Sequence, residues 1–530
     1  MIMVSAAAAL ATATAGVYFW DYSRAGEELS KFAPNIGSKP LKSKQKGGWT
    51  WTSAAKLKEK FSADKSIQNQ KTHENDFLED VAELAVSCFK AKSSDKPIQE
   101  RKSIFIDEFR YFPETIKKCS PFFIGKSKME KTKLHFAPVD MTKSLLCVGP
   151  MGSGKTVFFK NLIFQNWYKR ALIHDIKTTD FSPFLVDGKR GFVMNMYNDK
   201  RVAIWDIMLE KKSFFTMIEA VALDLMVGAV GESKDQFFTG SAADRVKTMF
   251  ETAYLRGKTS EARWAILEEE IQNYERRATA PKTTENKDVW NNFLLVKETL
   301  LFWIWRVQNA QKTFTIADYL NSDMILIMNG NDKAMKSYYS AFISALVNEA
   351  LKMPDSETDL TFLLLDEYLT IPLSEPTRLK IHVLTRAKGF CLFAGMQFLP
   401  GDEVAKQQIL DSSKYATILF NLQDGNSTQH FKNYYGEAKF KELEKSYSKN
   451  KHDYTTSVST SEQERTAPFL SEHELQKKPP HHHLTILQTG EAWLGCTPRI
   501  KTETIYDPLS DLLDITPFKA KLRGVNIVEK

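Results

Sequence analysis

One eight-residue segment constrains the fold of this chain more than any other feature. Residues 149–156 read GPMGSGKT, which matches the pattern GxxxxGK[ST]. The apolar run LLCV precedes this segment, and the helical pattern VFFKNLIFQNWYKR follows it. Glycines at these positions let the backbone wrap closely around an anion and point its N–H groups inward. The segment therefore predicts a strand, a phosphate-binding turn and a helix in direct succession.

The residues of this turn have predicted roles in holding a nucleoside triphosphate. Lys155 would reach the β- and γ-phosphates, and the hydroxyl of Thr156 would bind Mg²⁺. The helix that follows presents its positive dipole end to the same anion. ATP and Mg²⁺ are therefore the predicted cofactors, and the predicted ATP-binding residues are Gly149, Pro150, Met151, Gly152, Ser153, Gly154, Lys155 and Thr156.

A second apolar strand ends in two carboxylates, because residues 361–367 read TFLLLDE. Such a strand is typical of a buried parallel sheet, whose C-terminal edge opens onto the ligand crevice. We therefore predict that Asp366 holds Mg²⁺, directly or through a water molecule. We also predict that Glu367 is the general base that polarises the attacking water.

Two further residues are candidates for the same chemistry. Gln397 follows the apolar run FCLFAGM, where an amide can sense the γ-phosphate or position water. A polar residue that merely closes a strand is the alternative for Gln397. Arg386, in the run TRAKG, could complete the site of a neighbouring subunit as an arginine finger. A solvated arginine at a helix end is the alternative for Arg386.

The order of predicted elements indicates an α/β fold with a mostly parallel sheet. Long amphipathic stretches interrupt this order with a helical insertion of about 120 residues. We predict a nucleotide-binding domain in two parts, 101–210 and 336–505, around an all-α domain at 211–335, with a short C-terminal tail at 506–530. Residues 447–466 are rich in Ser, Thr and Lys and are predicted to form a loop.

Residues 1–22 are a predicted transmembrane anchor. The first 20 residues carry no charge, and about 20 residues is the length of one membrane-spanning helix. Lysines are dense between Lys39 and Lys60, so the positive-inside rule places the chain after the helix in the cytoplasm. A cleaved signal peptide and a buried or disordered segment are the alternatives. Residues 23–100 are predicted to be a linker and lead-in.

Charge and cysteine content add mild constraints. The formal net charge of +7 permits an anionic partner without requiring one. The five cysteines stand far apart with no CxxC pair, which is typical of free thiols in a reducing compartment.

With these motifs in order, the chain resembles the TraD family of type IV secretion coupling proteins. These are membrane-anchored hexameric ATPases of the RecA-like, FtsK-related group. The similarity runs from about residue 120 to 505 and includes the segments LIHDIK, IWDIM, DQFFTGSAADRVKTMFETAYL, FTIADYL, LLLDEYLTIP, TRAKGFCLFAGMQ and APFLSEHEL.

The resemblance implies a RecA-like P-loop domain, a homo-hexamer and a place in the bacterial inner membrane, with one N-terminal anchor and the bulk in the cytoplasm. It implies that ATP hydrolysis drives delivery of DNA, with its relaxase and relaxosome proteins, to a type IV secretion channel in conjugation. It implies sequence-independent contacts with the DNA backbone. It also favours Arg386 as a trans-acting finger and Gln397 as a member of the site.

The chain departs from the family pattern at both ends. The family usually has two N-terminal membrane helices around a small periplasmic loop, whereas one is predicted here. We therefore expect either a truncated start or a reduced anchor. The family often carries a long C-terminal tail that docks the relaxosome, whereas residues 506–530 are short. Docking specificity is therefore expected to reside elsewhere.

Two other functions remain open from the sequence. One is a nucleotide-gated receptor that docks protein substrates without pumping them, although the presence of Glu367 counts against it. The other is a double-stranded DNA translocase of the FtsK or HerA kind, although no DNA-orienting winged-helix module is apparent in the sequence.

Overall fold

The structure is a computed structural model of the 530-residue chain. It describes residues 50–51, 104–111, 130–136, 144–211, 213–231, 236–281, 283–384, 386–401, 406, 409–410, 415–449, 456–468, 470, 472–476, 482–488, 491–497 and 502–522. The predicted anchor at 1–22 lies outside the described residues. Among the helices that are described, none is both long enough and apolar enough to span a bilayer.

A twelve-stranded sheet organises the chain. The strands are, in chain order, β1 Thr50–Trp51, β2 Ile104–Tyr111, β3 Glu130–Phe136, β4 Leu145–Val148, β5 Arg170–Asp175, β6 Gly191–Val193, β7 Ile204–Trp205, β8 Thr313–Phe314, β9 Ile325–Asn329, β10 Thr361–Leu365, β11 Phe390–Met396, β12 Ala416–Leu419, β13 Glu437–Lys449, β14 Thr456–Pro468, β15 His482–Leu487 and β16 Glu491–Cys496. The main sheet has the order β3-β2-β16-β15-β12-β4-β11-β10-β5-β9-β6, and β1 pairs with β16.

Parallel pairing prevails through the centre of this sheet. Every neighbouring pair from β12 to β6 is parallel, whereas the pairs from β3 to β12 are antiparallel. This confirms the predicted α/β class with a mostly parallel sheet.

Helices cover both faces of the central strands. The α-helices are, in chain order, α1 Lys155–Ile163, α2 Ser182–Leu185, α3 Phe214–Val230, α4 Gln236–Arg256, α5 Ser260–Ala278, α6 Lys287–Asn309, α7 Ile316–Asn321, α8 Lys333–Ala350, α9 Glu375–Leu379, α10 Gly425–Tyr435, α11 Glu472–Gln476 and α12 Thr516–Leu522. Side chains of β4 alternate between two buried clusters, with Leu145 and Cys147 in one, Leu146 and Val148 in the other. Successive strand residues point to opposite faces, so the central strands β4, β10 and β11 are buried on both sides and are almost wholly apolar.

Helices α3 to α6 follow one another between β7 and β8, which pair with each other and so hold the two ends of this helical region together. The indole of Trp303 on α6 donates to the carbonyl oxygen of Trp205 at 2.8 Å, and the indole of Trp264 on α5 donates to Asp206 at 2.8 Å. The helical region ends earlier than the predicted 211–335, because the apolar run of β9 joins the main sheet. The division into domains otherwise stays a prediction.

The prediction of a loop at 447–466 is wrong for the part of that range that the structure describes. Strands β13 and β14 pair with each other in an antiparallel hairpin, from Glu437 opposite Pro468 to Lys449 opposite Thr456. Neither strand joins the main sheet. Backbone hydrogen bonds define this hairpin, and the residues lack the apolar alternation that marks a strand over a core, so composition alone suggested a loop.

The C-terminal segment packs against the rest of the structure. The amide of Asn198 donates to the carbonyl oxygens of Pro508 at 2.9 Å and Asp511 at 3.0 Å. The ring of Phe518 lies 4.9 Å from that of Phe302 on α6. The segment therefore bridges the residues after β6 and the helical region.

Two helical glycines differ in their surroundings and give a matched stability test. A Cβ on Gly228 in α3 would lie 2.4 Å from the Cα of Ser337 in α8, whereas a Cβ on Gly240 in α4 would meet no described atom within 4 Å. We expect Gly228→Ala to lower the free energy of unfolding by about 1–3 kcal/mol through overpacking. Gly240→Ala should raise it by up to about 1 kcal/mol through helix propensity. Urea unfolding measures both, and equal effects would contradict the close packing of α3 on α8.

Candidate functional site

The candidate site lies at one edge of the sheet. Strands β4, β11 and β10 are adjacent and parallel, so their C-terminal ends meet at the same edge. Residues 149–154 follow β4, Asp366 and Glu367 follow β10, and Gln397 follows β11. The structure thus brings together three of the sequence motifs that are far apart in the chain. The C-terminal edge of parallel strands is where open α/β sheets bind ligands.

The glycine-rich turn requires its glycines. Gly152 and Gly154 have φ values of +76° and +114°. Residues that carry a Cβ rarely adopt this backbone conformation. A Cβ on Gly149 would lie 2.5 Å from the Cβ of Phe420. The N–H of Gly149 donates to the carbonyl oxygen of Met396 at 3.0 Å, so β11 anchors the turn. The shape of this turn is therefore fixed by its neighbours.

Lys155 places its ammonium group inside the turn. The side chain is buried, and Nζ donates to the carbonyl oxygens of Gly149 and, at 3.3 Å, of Pro150. Nζ also lies 3.8 Å from Oε1 of Glu367. Burial lowers the pKa of Lys155, and the negative charges of Glu367 and Asp366 partly offset that shift. The ammonium is thus held where a phosphate bound by the turn would contact it.

Asp366 offers a buried carboxylate oxygen to a ligand. Its Oδ1 is buried without a hydrogen-bond partner among the residues that the structure describes, which is uncommon for a buried polar atom. Gly395 on β11 provides the room, because a Cβ there would lie 2.7 Å from Oδ1. Burial, followed by the charge of Glu367, raises the pKa of Asp366 to about 7. Thr156 is half-buried in the first turn of α1. A carboxylate and a hydroxyl are hard oxygen donors, which fit Mg²⁺.

Glu367 has an unusual backbone. Its φ is +57° and its ψ is 54°, the left-handed region, which costs an ordinary residue about 1–2 kcal/mol. The N–H and the hydroxyl of Thr370 donate to the carbonyl oxygen of Glu367 at 2.8 Å and 2.7 Å. Strained backbone of this kind concentrates at functional sites. Here it places the Glu367 carboxylate beside Lys155.

His174 on β5 is a neighbour of the site that the sequence motifs did not single out. Its Nδ1 lies 2.8 Å from the carbonyl oxygen of Asp366. Burial lowers the pKa of His174 to about 4, so at neutral pH the ring is uncharged and Nδ1 carries the proton that it donates. The run LIHDIK on the strand beside β10 was the available signal, because the register pairs Leu365 with His174.

Lys177 and Asp180, which follow β5, were also missed. Their side chains lie 3.6 Å apart, and both charges act on Asp366. Asp175 at the end of β5 accepts hydrogen bonds from Ser182 and from the N–H of Phe181, and so holds this segment in place. Charged side chains at the site therefore also come from the segment after a fourth strand, β5.

Gln397 and Arg386 lie at opposite ends of β11. Gln397 is half-buried and follows the strand at the edge where the glycine-rich turn lies. Arg386 is exposed in a short 3₁₀ helix, Arg386–Lys388, which precedes the strand. Seven strand residues at about 3.3 Å each separate the two by roughly 20 Å. A role for Arg386 at a nucleotide site therefore requires a second copy of the chain.

Comparison with protein-family models identifies the family. Residues 129–491, more than half of the chain, match the type IV secretion-system coupling protein DNA-binding domain. The chain belongs to this family. The predicted resemblance to type IV coupling proteins is thereby confirmed. A search of curated protein sequences found no match.

Solved structures of coupling proteins share the fold. The bacterial conjugative coupling protein TrwBdeltaN70 in an unbound form has a TM-score of 0.55 at 14% identity, over 71% of this chain and 89% of that one. Plasmid coupling protein TrwB with the ATP analogue ADPNP has a TM-score of 0.53 at 14% identity, over 70% and 88%. TrwB with ADP and Mg²⁺ has a TM-score of 0.52 at 14% identity, over 71% and 89%.

The left-handed backbone of Glu367 predicts an order of stability between two variants. Glu367→Gly and Glu367→Ala both remove the carboxylate and its contact with Lys155. Glycine adopts a positive φ without steric cost, whereas alanine does not. We expect the free energy of unfolding of Glu367→Gly to exceed that of Glu367→Ala by about 1 kcal/mol, measured by urea unfolding. If the alanine variant were the more stable one, the strained conformation would be disproved.

Proposed function

We propose that this chain is an ATPase that drives the delivery of DNA into a type IV secretion channel during conjugation. The observation that carries the proposal is the convergence of Lys155, Asp366 and Glu367 at one edge of the sheet, in a chain of the coupling protein family. Solved TrwB structures with ADPNP and with ADP and Mg²⁺ support nucleotide binding by this fold.

The glycine-rich turn would bind the phosphates of ATP. Its backbone N–H groups and the N-terminus of α1 supply positive charge to the anion. Lys155 would exchange the carbonyl oxygens of Gly149 and Pro150 for phosphate oxygens, which releases a buried ammonium from weaker partners. Asp366 and Thr156 would hold Mg²⁺, which neutralises the charge that develops on the phosphates. The unpartnered Oδ1 of Asp366 would thereby gain a cation.

Glu367 would act on the attacking water. Its carboxylate lies beside Lys155, so a water between Glu367 and the γ-phosphate would be oriented for in-line attack. Proton transfer to a positioned carboxylate typically contributes 10²–10⁴-fold to a rate. Gln397, at the tip of the next strand, would hold the same water or contact the γ-phosphate. The Glu367 backbone would aim the base without reorganisation.

Further parts of the proposal depend on the family rather than on the geometry. We infer sequence-independent contact with DNA phosphates, assembly as a homo-hexamer, and contact with relaxase, relaxosome proteins and channel components. In such a ring, the exposed Arg386 of one copy would complete the site of the next. Residues 1–22 would anchor the chain in the bacterial inner membrane, with the bulk in the cytoplasm.

ATP hydrolysis by the full chain, with and without single- and double-stranded DNA, tests the proposal. We expect DNA to stimulate hydrolysis, and added salt to weaken this stimulation because phosphate contacts release counterions. Lys155→Ala and Glu367→Gln should each lower kcat by roughly 100-fold or more. Lys169→Ala and Glu357→Gln, which change the same residue types at the opposite edge of the sheet, should retain wild-type rates.

The outcomes separate the candidate functions. A rate of ATP hydrolysis that DNA does not change would favour a nucleotide-gated receptor for protein substrates. Stimulation by double-stranded DNA without any by single-stranded DNA would favour a translocase of the FtsK or HerA kind. Absence of hydrolysis in the assembled protein would contradict the ATPase itself.

The raised pKa of Asp366 predicts how the Mg²⁺ requirement depends on pH. Below a pKa of about 7 the carboxyl holds a proton, and a neutral carboxyl binds Mg²⁺ poorly. The free Mg²⁺ concentration for half-maximal hydrolysis should therefore rise about tenfold from pH 8 to pH 6. Asp366→Asn should need more Mg²⁺ at both pH values and show little of this dependence. A wild-type Mg²⁺ requirement that is equal at both pH values would show that Asp366 does not ligate the ion.

A further inference from the structure

A buried carboxylate connects the helical region to the segment that follows β10. Asp224 on α3 is fully buried. It accepts hydrogen bonds from the N–H of Ser374 at 2.6 Å, from the Ser374 hydroxyl at 3.1 Å and from the Thr377 hydroxyl at 2.6 Å. Ser374 is the residue before the first turn of α9, so a negative charge there also suits the dipole of that turn. Loss of Asp224 would leave the buried N–H of Ser374 without this acceptor and would remove one partner from each of the two hydroxyls.

The segment between Glu367 and Ser374 is held along its length. Beyond the Thr370 bonds to the Glu367 carbonyl, the hydroxyl of Ser340 on α8 donates to the carbonyl oxygen of Pro372 at 2.7 Å. The side chains of Ile371 and Leu373 are buried. Glu367 is thus the first residue of a packed segment whose far end is fixed by Asp224.

Helix α3 gives Asp224 a rigid support. The hydroxyl of Ser337 on α8 donates to the carbonyl oxygen of Leu225 at 2.5 Å. The two helices approach so closely at Gly228 that a Cβ there would lie 2.4 Å from the Cα of Ser337. Ser340 on α8 also donates to Pro372, so both α3 and α8 contact the segment after Glu367. A change in the position of Asp224 would therefore also disturb the packing of α3 on α8.

We propose that Asp224 is a positioning residue for hydrolysis, which keeps Glu367 in its left-handed conformation from across the boundary with the helical region. The inference rests on the proposed ATPase function. A left-handed glutamate persists only where its surroundings oppose relaxation. Release of Ser374 and Thr377 would let the segment relax and turn the Glu367 carboxylate away from Lys155. The glycine-rich turn is anchored instead by β11, so ATP binding does not depend on Asp224.

The test is a comparison of kcat and KM for ATP in the full chain. Asp224→Asn keeps the size of the side chain but replaces one acceptor oxygen by a donor. We expect kcat to fall about 10- to 100-fold, as small misplacements of catalytic groups do. KM for ATP and the affinity for ADPNP should stay within about twofold of the wild type, because the interaction serves the transition state and not ground-state binding.

Asp206→Asn is the matched control. Asp206 is also buried and accepts hydrogen bonds from Trp264 and Ser260 within the helical region, but it makes no hydrogen bond with the segment after Glu367 in the described structure. Both variants should lower the urea unfolding midpoint, and only Asp224→Asn should lower kcat. Equal kcat values for the two variants would show that Asp224 acts through stability alone and would overturn the inference.

Thr377→Val gives a milder variant in case Asp224→Asn does not fold. Thr377→Val should also lower kcat. In the double variant with Asp224→Asn, the free energy of activation should rise by less than the sum of its increases in the two single variants. Wild-type kcat in Thr377→Val and Asp224→Asn, with normal hydrolysis by the unmodified chain, would overturn this inference alone. Failure of the unmodified chain to hydrolyse ATP would overturn the proposed function and this inference together.

Discussion

The parallel pairing of β4, β11 and β10 is the constraint on which the site depends. Parallel neighbours place their C-terminal ends at one edge, and these three strands end in the glycine-rich turn, in Gln397 and in the two carboxylates. Such pairing needs a crossover between strands and cover on both faces, which α1 provides on one face and α8 on the other. Each strand is therefore apolar throughout, and polar groups are confined to the strand ends.

Groups of opposite charge, Lys155 on one side and Asp366 and Glu367 on the other, lie close together at this edge of the sheet. Lys155 and Asp366 are both removed from water to a large extent, which disfavours the charged form of each. Lys155 is therefore easier to deprotonate and Asp366 easier to protonate than in water. A nucleotide with Mg²⁺ would bring an anion to the first and a cation to the second. Keeping these buried charges without a ligand costs electrostatic free energy. A nucleotide with Mg²⁺ would recover part of this free energy, which contributes to the affinity of the site for such a ligand.

Much of the site could be predicted from the sequence, because its parts are local patterns. The glycine-rich turn requires particular residue types at fixed spacing. An apolar run that ends in Asp366 and Glu367 indicates the end of a buried strand. The mostly parallel sheet follows from strands that alternate with helices. The left-handed φ of Glu367 had no such signal, because glutamate shows no preference for it and the surroundings impose it.

Sequence patterns could not predict contacts between segments that are distant in the chain. His174 supports Asp366 through a backbone carbonyl, and Asp224 reaches α9 from another part of the chain, so neither role depends on a motif. Arg386 was predicted to be an arginine finger for a neighbouring subunit, and the fold places it at the opposite end of β11 from Gln397, so this role stays a prediction. The hairpin of β13 and β14 lacks the apolar alternation on which strand prediction relies.

The turn around Lys155, together with Asp366, is proposed to form a binding site for a nucleotide with Mg²⁺. Calorimetric titration of the full chain with ADPNP, in the presence and absence of Mg²⁺, tests it most directly. We expect binding that Mg²⁺ strengthens in the wild type and in Lys169→Ala, and that is at least about tenfold weaker in Lys155→Ala. Equal affinity of Lys155→Ala and Lys169→Ala for ADPNP would place the nucleotide elsewhere and rule out this site.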